Sequence, residues 1–328
     1  MRRLGCLLLA AAAMGAASLG AQAAPVRVIA FTGVSTIPLR VAQSHGIFKA
    51  HGLDVSIEIT PNSQVLREGV ATGKYDVAHA SVDNGIAVAA GGQADVVIVL
   101  GGDDSMNEVI AQPGIGSLED LRGKTLAVDA PNTAYALQLR RILETKGLKA
   151  GHDYTLAAIG GNPQRLEAMK DSQQYAASVL NPPFSILAVR AGLRSLGSAT
   201  ALVGGRYQGI GAFVRRDWAR EHRDALVQYL ASYIEGLRWF LAPANKNAAI
   251  ELLGTTLKIP ADVAAETYAR AAAGGLTPDA RLDIEGLRNV LKLRAELEGQ
   301  WNGQPPPPER FIDLTYYEAA LGVRSEIR

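Results

Sequence analysis

The sequence of 328 residues contains one cysteine, Cys6, and has no apolar run long enough to span a membrane beyond its first twenty residues. A single cysteine excludes an internal disulfide and a cysteine-ligated zinc site. The five histidines show no metal-binding spacing such as HxxxH or HExxH, so no metal site is predicted. The catalytic signatures GxSxG and SxxK and the Walker loop are also missing, and no catalytic residue or cofactor is predicted.

The chain also lacks an excess of charge of either sign. It has 33 Lys and Arg against 32 Asp and Glu, a formal net charge of +1, and only 6% aromatic residues. Because binding to nucleic acid depends on a concentration of positive charge, a nucleic-acid partner is not predicted. The 48% of apolar residues is normal for a globular core and excludes a disordered chain. The length suits about two domains.

The first 23 residues have the form of a secretory signal peptide. A basic start, Arg2-Arg3, precedes an apolar run over 4–19 and an A-x-A site, Ala21-Gln22-Ala23. We expect cleavage after Ala23, the last residue of that site. The apolar run is shorter than the roughly 20 residues of a membrane-spanning helix, which favours a signal peptide over a membrane anchor. The mature chain of 305 residues then has no cysteine, and loss of the two arginines changes its net charge from +1 to −1. An exported, periplasmic protein is predicted.

The mature chain alternates predicted strands with predicted helices, the pattern of a mostly parallel α/β sheet. The first unit has strands at 26–31, 53–59, 75–80 and 95–100 and helices at 39–50, 63–72 and 83–90. The second has strands at 125–128, 154–159 and 176–180, a further strand at 199–203, and helices at 118–121, 134–146, 163–171 and 183–191. From 216 to about 299 the chain is predicted to be almost entirely helical, with Leu226, Tyr229, Leu230, Tyr233 and Leu237 at helical spacing.

Two segments that look extended and lack helical periodicity, 106–113 and the glycine-rich 204–214, connect these units. Two crossings imply a middle α/β lobe at 109–206, inserted into an outer α/β lobe formed by 24–108 and 207–328. Paired connections of this kind form a hinge.

Small polar residues, glycines and prolines follow the strands, where open α/β sheets bind ligands. Such residues suit helix caps, with Asn162 before Pro163 and Asn181 before Pro182 as N-cap and N1 pairs, and caps alone could explain each junction. Together they indicate a small-ligand site formed by hydrogen bonds and helix dipoles, with Arg206 as the nearest cation. The candidate ligand-binding residues are Thr32, Gly33, Ser35, Thr36, Asn62, Ser81, Val82, Asp83, Asn132, Thr133, Ala134, Tyr135, Gly161, Asn162, Asn181, Pro182 and Arg206.

Two further features have a structural interpretation and a functional one. Asp103-Asp104 could form an acid pair, but adjacent side chains point apart, which favours a solvated loop at the hinge. His79 lies near the end of a strand and could face the cleft, although a hydrogen-bonded structural histidine is favoured.

Three motifs resemble the periplasmic substrate-binding proteins of ABC importers for aliphatic sulfonates, taurine, nitrate and thiamine-pyrimidine precursors. They are Gly46-Ile47-Phe48 with Gly52-Leu53-Asp54-Val55, then 73–78 (GKYDVA), and 117–124 (SLEDLRGK) followed by Leu126-Ala127-Val128. The resemblance covers roughly 26–240 and implies a type II fold, with two lobes, two crossover hinge segments and a helical C-terminal region. It implies capture of a small organic ligand for an ABC permease and its ATPase subunit in the inner membrane, by a protein expected to be a monomer.

The sequence leaves the identity of the ligand undecided. Many sulfonate and taurine members have an aromatic-acidic motif where this chain has Asn181-Pro182-Pro183-Phe184. A small organic anion, such as a sulfonate or carboxylate, is preferred, with a neutral pyrimidine-type ligand as the alternative. A sensory binding protein that docks on a membrane receptor would have the same cleft. Enzymes that share this fold need a cysteine, which the mature chain lacks.

Overall fold

The computed structural model describes residues 23–324. The predicted signal peptide therefore lies outside the described residues except for Ala23, and the first strand begins at Ala24. The ten strands of the described chain are β1 (Ala24–Ala30), β2 (Leu53–Ile59), β3 (Val77–Ser81), β4 (Val96–Leu100), β5 (Glu108–Ala111), β6 (Thr125–Val128), β7 (Thr155–Ala158), β8 (Tyr175–Leu180), β9 (Arg194–Ser198) and β10 (Ile210–Arg215).

The strands form two five-stranded sheets, and each sheet is the centre of one lobe. The outer lobe has the order β2-β1-β3-β10-β4, and the middle lobe has the order β7-β6-β8-β5-β9. β1 is parallel to β2 and β3, and β6 is parallel to β7 and β8. β5 and β10 follow the two crossings, and each enters its sheet antiparallel to both neighbours. The two-lobe fold with two crossings is confirmed, while the boundaries at 108/109 and 206/207 stay a prediction.

Helices pack on both faces of the sheets. They are α1 (Ile37–Ser44), α2 (Ile47–Ala50), α3 (Ser63–Ala71), α4 (Asp83–Ala90), α5 (Ala134–Glu144), α6 (Asn162–Asp171), α7 (Phe184–Arg190), α8 (Ala199–Leu202), α9 (Arg216–Glu221), α10 (Arg223–Leu241), α11 (Lys246–Leu257), α12 (Ala261–Arg270), α13 (Ile284–Glu298) and α14 (Thr315–Leu321).

Two local predictions were wrong. The helix expected over 39–50 is divided into α1 and α2 at Gly46, whose φ of 71° interrupts the helical backbone. The segment 199–203, expected as a strand, begins with α8, because the Ser198 hydroxyl accepts a hydrogen bond from the Ala201 amide as an N-cap. The strand lies just before it, as β9.

The core of the outer lobe holds α10 against its sheet. The five residues predicted at helical spacing on this helix are all buried. Gly236 lets α10 approach α1 closely, since a Cβ atom there would lie 2.4 Å from the Pro38 carbonyl oxygen. This packing fixes the tyrosines of α10 directly behind the carboxyl end of β3, where Tyr233 donates a hydrogen bond to the Ser35 carbonyl oxygen at 3.1 Å.

Candidate ligand-binding cleft

A cleft lies between the lobes, where the carboxyl ends of β1, β3, β6, β7 and β8 face each other. It contains about 560 Å³ of space between atoms, part of it open to solvent. Both sheets therefore place their strand-to-helix junctions on one site, as open α/β sheets do. The predicted residues that line it are Thr32, Gly33, Ser35, Thr36, Ser81, Thr133, Ala134, Tyr135, Gly161, Asn162 and Asn181.

The other predicted residues do not line the cleft. The Asn62 side chain caps α3, where its Oδ1 accepts from the Val65 amide, and Val82 is part of the apolar core. Pro182 is buried. Arg206 is exposed outside this cleft and pairs with Asp283 at 2.7 Å, so it is not the cation of this cleft.

Asp83 and Asn132 are held by arginines instead of facing a ligand. The Asp83 carboxylate, 1% exposed, accepts two hydrogen bonds from the buried Arg294 guanidinium, at 2.5 and 3.0 Å. Arg294 also donates to the Asn132 carbonyl oxygen at 2.8 Å. Arg67 lies 3.6 Å from Asp83 and donates to the same carbonyl oxygen at 3.3 Å. Asp83 is thus fully paired, which excludes it as the seat of a cationic ligand.

Two helices of the middle lobe begin at the cleft without a side-chain cap. The Thr133 hydroxyl precedes α5 but donates to the Ala130 carbonyl oxygen at 2.8 Å, and Gly161 precedes α6. The predicted N-cap roles of Asn162 and Asn181 were wrong, since α6 already includes Asn162 and α7 follows Pro183. Uncapped first turns leave backbone N–H groups and the positive dipole ends of α5 and α6 directed at the cleft.

Arg165 brings a positive charge into the lining, which the junctions alone did not indicate. The side chain is 2% exposed and donates to the Ser178 hydroxyl, to Asn162 Oδ1 and to two backbone carbonyl oxygens. Burial lowers its pKa, and the nearby Asp129 carboxylate opposes that change. Its hydrogen bonds go to neutral groups, so its charge is not neutralised by direct contact with an acid.

Asp129 also lines the cleft and joins the two lobes. Both of its carboxylate oxygens accept from the Ser63 amide at the start of α3, at 3.3 and 3.0 Å. Beside it, the Gly161 amide donates to the Pro61 carbonyl oxygen at 3.0 Å. These bonds hold the lobes in contact across one wall of the cleft.

Asp103 was expected in a solvated loop but is 7% exposed at the hinge. Its carboxylate accepts from the Ser35 hydroxyl at 2.5 Å, from the Ser105 amide at 2.7 Å and from the Ile210 amide at 3.0 Å. Burial raises the pKa of Asp103 to about 6, against these hydrogen bonds. The residue therefore ties both crossings to the cleft lining.

Sequence reasoning omitted several lining residues from the site. They are Phe31, Ser63, His79, Asn84, Asp129, Arg165 and Ile210. Phe31 and Asp129 stand at strand ends, a signal that could have included them. His79 was expected to be a hydrogen-bonded structural histidine, and this was wrong, because it lines the cleft and neither ring nitrogen has a partner among the described residues. Arg165 lies inside a helix and Ile210 begins a returning strand, and no local pattern marks either position.

Three polar side chains of the lining have unpaired atoms. Within the described residues, the two ring nitrogens of His79, the Ser81 hydroxyl and Asn181 Oδ1 have no hydrogen-bond partner. The three residues are 1%, 4% and 8% exposed. Buried polar atoms are nearly always paired in folded proteins, so these atoms await a ligand or water.

Family membership follows from comparison with known proteins. Residues 21–254 match the model of the NMT1-like family. The chain belongs to the NMT1-like family. A protein of Brachyspira hyodysenteriae, named as an ABC transporter periplasmic binding protein, is 24% identical over 271 residues, which cover 76% of this NMT1-like chain and 75% of that protein.

Two solved structures share the fold of this NMT1-like chain. The alkanesulfonate-binding protein SsuA from Xanthomonas axonopodis pv. citri, bound to MOPS, has a TM-score of 0.71 and 17% identity over 90% of this chain and 97% of that one. The periplasmic nitrate-binding protein NrtA from Synechocystis PCC 6803 has a TM-score of 0.74 and 13% identity over 91% and 88%. The resemblance to binding proteins of ABC importers is confirmed.

Residues 23–324 contain neither a helix that could cross a bilayer nor a group of three or more potential metal-ligating side chains.

Proposed function

We propose that this protein is an exported solute-binding protein that closes on a small organic anion and delivers it to an ABC-type importer. The observation that carries the proposal is the convergence of Arg165 with the uncapped starts of α5 and α6 in one cleft. An anionic group there gains hydrogen bonds from free N–H groups, a dipole contribution and the positive charge of Arg165, which makes no salt bridge among the described residues. The named functions of the alkanesulfonate- and nitrate-binding structures support an anion.

The hinge supports capture by closure. Lining residues come from both lobes, and Asp103 links the two crossings to the Ser35 side of the cleft. A ligand that contacts both lobes binds the closed arrangement more tightly than the open one, and so shifts the population towards closure.

A thermal-shift screen tests the choice of ligand. The panel contains ethanesulfonate, propionate, nitrate and bicarbonate, with thymine as a neutral pyrimidine. At a concentration 100 times Kd, a bound anion should stabilise the folded protein by about 2.7 kcal/mol. A shift with thymine and with none of the anions would replace the anion proposal by a neutral ligand.

The export of the protein and the identity of its membrane partner need separate tests. Periplasmic protein should begin at Ala24, as measured by intact mass, whereas full-length protein recovered from the cytoplasm would contradict cleavage after Ala23. Genes for a permease and an ATPase beside this one would favour import. A neighbouring receptor gene without them would favour the sensory alternative.

A further inference from the structure

His79 contributes a second, uncharged contact point to the cleft. It lies on β3 of the outer lobe and lines the cleft with Phe31 and Ile210. Its ring packs against the Tyr233 ring, with centroids 4.6 Å apart, and lies 5.8 Å from the Tyr229 ring. The tyrosines of α10 thus cover the imidazole from behind, and its nitrogens have no partner among the described residues.

The imidazole is neutral at physiological pH, because burial lowers its pKa to about 3. A neutral imidazole offers one N–H donor and one nitrogen acceptor and does not attract an anion as a full charge would. The charged part of the cleft, with Arg165 and the starts of α5 and α6, belongs to the other lobe.

We propose that the ligand carries, apart from its anionic group, an uncharged hydrogen-bonding group such as a hydroxyl, which pairs with His79. The inference rests on the proposed anion-binding function and narrows its substrate class to two-ended organic acids. The anionic end lies at α5 and α6 of the middle lobe, and the polar end lies at β3 of the outer lobe. A simple inorganic anion fills the first position and leaves His79 unpaired.

The middle lobe also leaves one acceptor unpaired, Asn181 Oδ1 at the end of β8. Asn181 is held by its Nδ2, which donates to the Tyr135 hydroxyl at 3.3 Å. An acceptor on the side of the anion would repel a purely anionic group, so this position separately favours a ligand that carries a donor besides its anionic group.

A matched pair of ligands tests the inference in the unmodified protein. Ethanesulfonate and 2-hydroxyethanesulfonate differ by one hydroxyl, as do propionate and 3-hydroxypropionate. Titration calorimetry should show at least about tenfold tighter binding of the hydroxylated member of a pair, because the plain analogue leaves a buried polar group unpaired. Equal affinities within both pairs would overturn the inference and indicate that the His79 nitrogens are hydrogen-bonded to water instead.

Variants of His79 test whether the imidazole is the group that prefers the hydroxylated ligands. His79→Leu should reduce the ratio of affinities within a pair to near one, while His79→Gln, which keeps a donor and an acceptor, should retain part of it. The ligand-free Leu variant should melt no lower than the parent, since the imidazole makes no hydrogen bond in the folded chain. A lowered melting temperature with an unchanged affinity ratio would show that His79 is structural.

Failure of this inference is distinguishable from failure of the proposed function. If the anions bind but the hydroxyl makes no difference, anion capture stands and only the role of His79 falls. If none of the sulfonates, carboxylates, nitrate or bicarbonate binds, the anion function itself is wrong, and with it the two-ended ligand.

Discussion

Individual residues decide the charge of the cleft. Arg165 and Asp129 both line the cleft, and each makes its hydrogen bonds to neutral groups. Their opposite charges act against each other in the potential at the ligand. The uncapped starts of α5 and α6 add positive partial charge, and the proposed anion depends on this contribution together with Arg165.

Thr133 gives a direct test of the anion seat. Thr133→Glu places a second negative charge at the start of α5, where it competes for the same N–H groups and repels the ligand. We expect at least a tenfold loss of anion affinity, about 1.4 kcal/mol, by titration calorimetry. A carboxylate near the start of a helix interacts favourably with the positive end of the helix dipole, so the melting temperature of the ligand-free protein should change little.

Two controls separate charge from shape at this position. Thr133→Gln has the size of glutamate without its charge, and Thr133→Ala removes the hydroxyl that bonds to the Ala130 carbonyl oxygen. Both should lose less affinity than the Glu variant. Equal losses of affinity in the Glu and Gln variants would show that the larger side chain excludes the ligand sterically. Unchanged affinity in the Glu variant would show that the anion binds elsewhere.

Asp103 makes stability depend on pH. Its folded pKa of about 6 lies above the unfolded value of about 3.9, so between these values the native state keeps a proton that the unfolded chain has released. The free energy of unfolding contributed by this group therefore decreases as pH rises from 4 to 6 and is constant above that range. The full difference is up to roughly 3 kcal/mol.

Asp103→Asn removes this titration and keeps most of the network. Its Oδ1 can accept from the Ser105 and Ile210 amides, and its Nδ2 can donate to the Ser35 hydroxyl. Denaturant unfolding at pH 4, 5, 6 and 7 should show the variant gaining stability relative to the parent up to pH 6. His79 titrates with the opposite sign, because its pKa is lowered, and cancels in this comparison. Parallel curves would exclude a raised pKa at Asp103.

At the scale of elements, a helix from the distant C-terminal region holds two strand-to-helix junctions in place beside the cleft. α13 carries Arg294 to the start of α4, where it pairs with Asp83, and on to the Asn132 carbonyl oxygen in the turn before α5. An acid at the start of α4 also interacts favourably with that helix dipole. The arrangement connects the C-terminal helices, the outer sheet and the middle lobe at one point.

Removing Arg294 should expose how this connection stabilises the fold. Arg294→Leu leaves the buried Asp83 carboxylate with only Arg67, 3.6 Å away, and should lower the free energy of unfolding by about 3–5 kcal/mol. The double variant Asp83→Asn with Arg294→Leu removes both charges and should recover a large part of that loss in denaturant unfolding. Additive losses in the double variant would show that the two charges do not depend on each other.

For the whole molecule, the two sheets and their two crossings permit movement of one lobe against the other. Contacts between the lobes at the cleft include Ser63 with Asp129, Pro61 with Gly161, and Arg67 with Asn132. Salt bridges also join the lobes, among them Arg140 with Glu298 and Arg190 with Glu266. Separation of the lobes would break these contacts, and a ligand that contacts both lobes favours the arrangement in which they are made.

The fraction of molecules in the closed arrangement is therefore expected to increase with ligand concentration. Small-angle scattering should show a smaller radius of gyration with a saturating anion from the screen than without it. Thr133→Glu at the same anion concentration serves as the control and should keep the larger radius. An unchanged profile of the parent protein at saturation would contradict movement about the two crossings.

Local patterns predicted the elements well and their contacts less well. The strand at 53–59 and the helix at 83–90 have the predicted bounds, because alternation and helical spacing are properties of neighbouring residues. Asp83 was expected at the cleft because it follows a strand. Its pairing with Arg294, 211 residues away in the chain, could not be read from either neighbourhood.

The sequence by itself determined the two α/β units, the two crossings and the small polar residues at the strand ends, because these depend on spacing along the chain. The tertiary structure alone decided which of those residues share a cleft, that Arg165 and Asp129 both line it, and that His79 is buried without a hydrogen-bond partner among the described residues. Burial and charge pairing depend on what packs around a side chain, and at this cleft those neighbours come from both lobes and from the C-terminal helices.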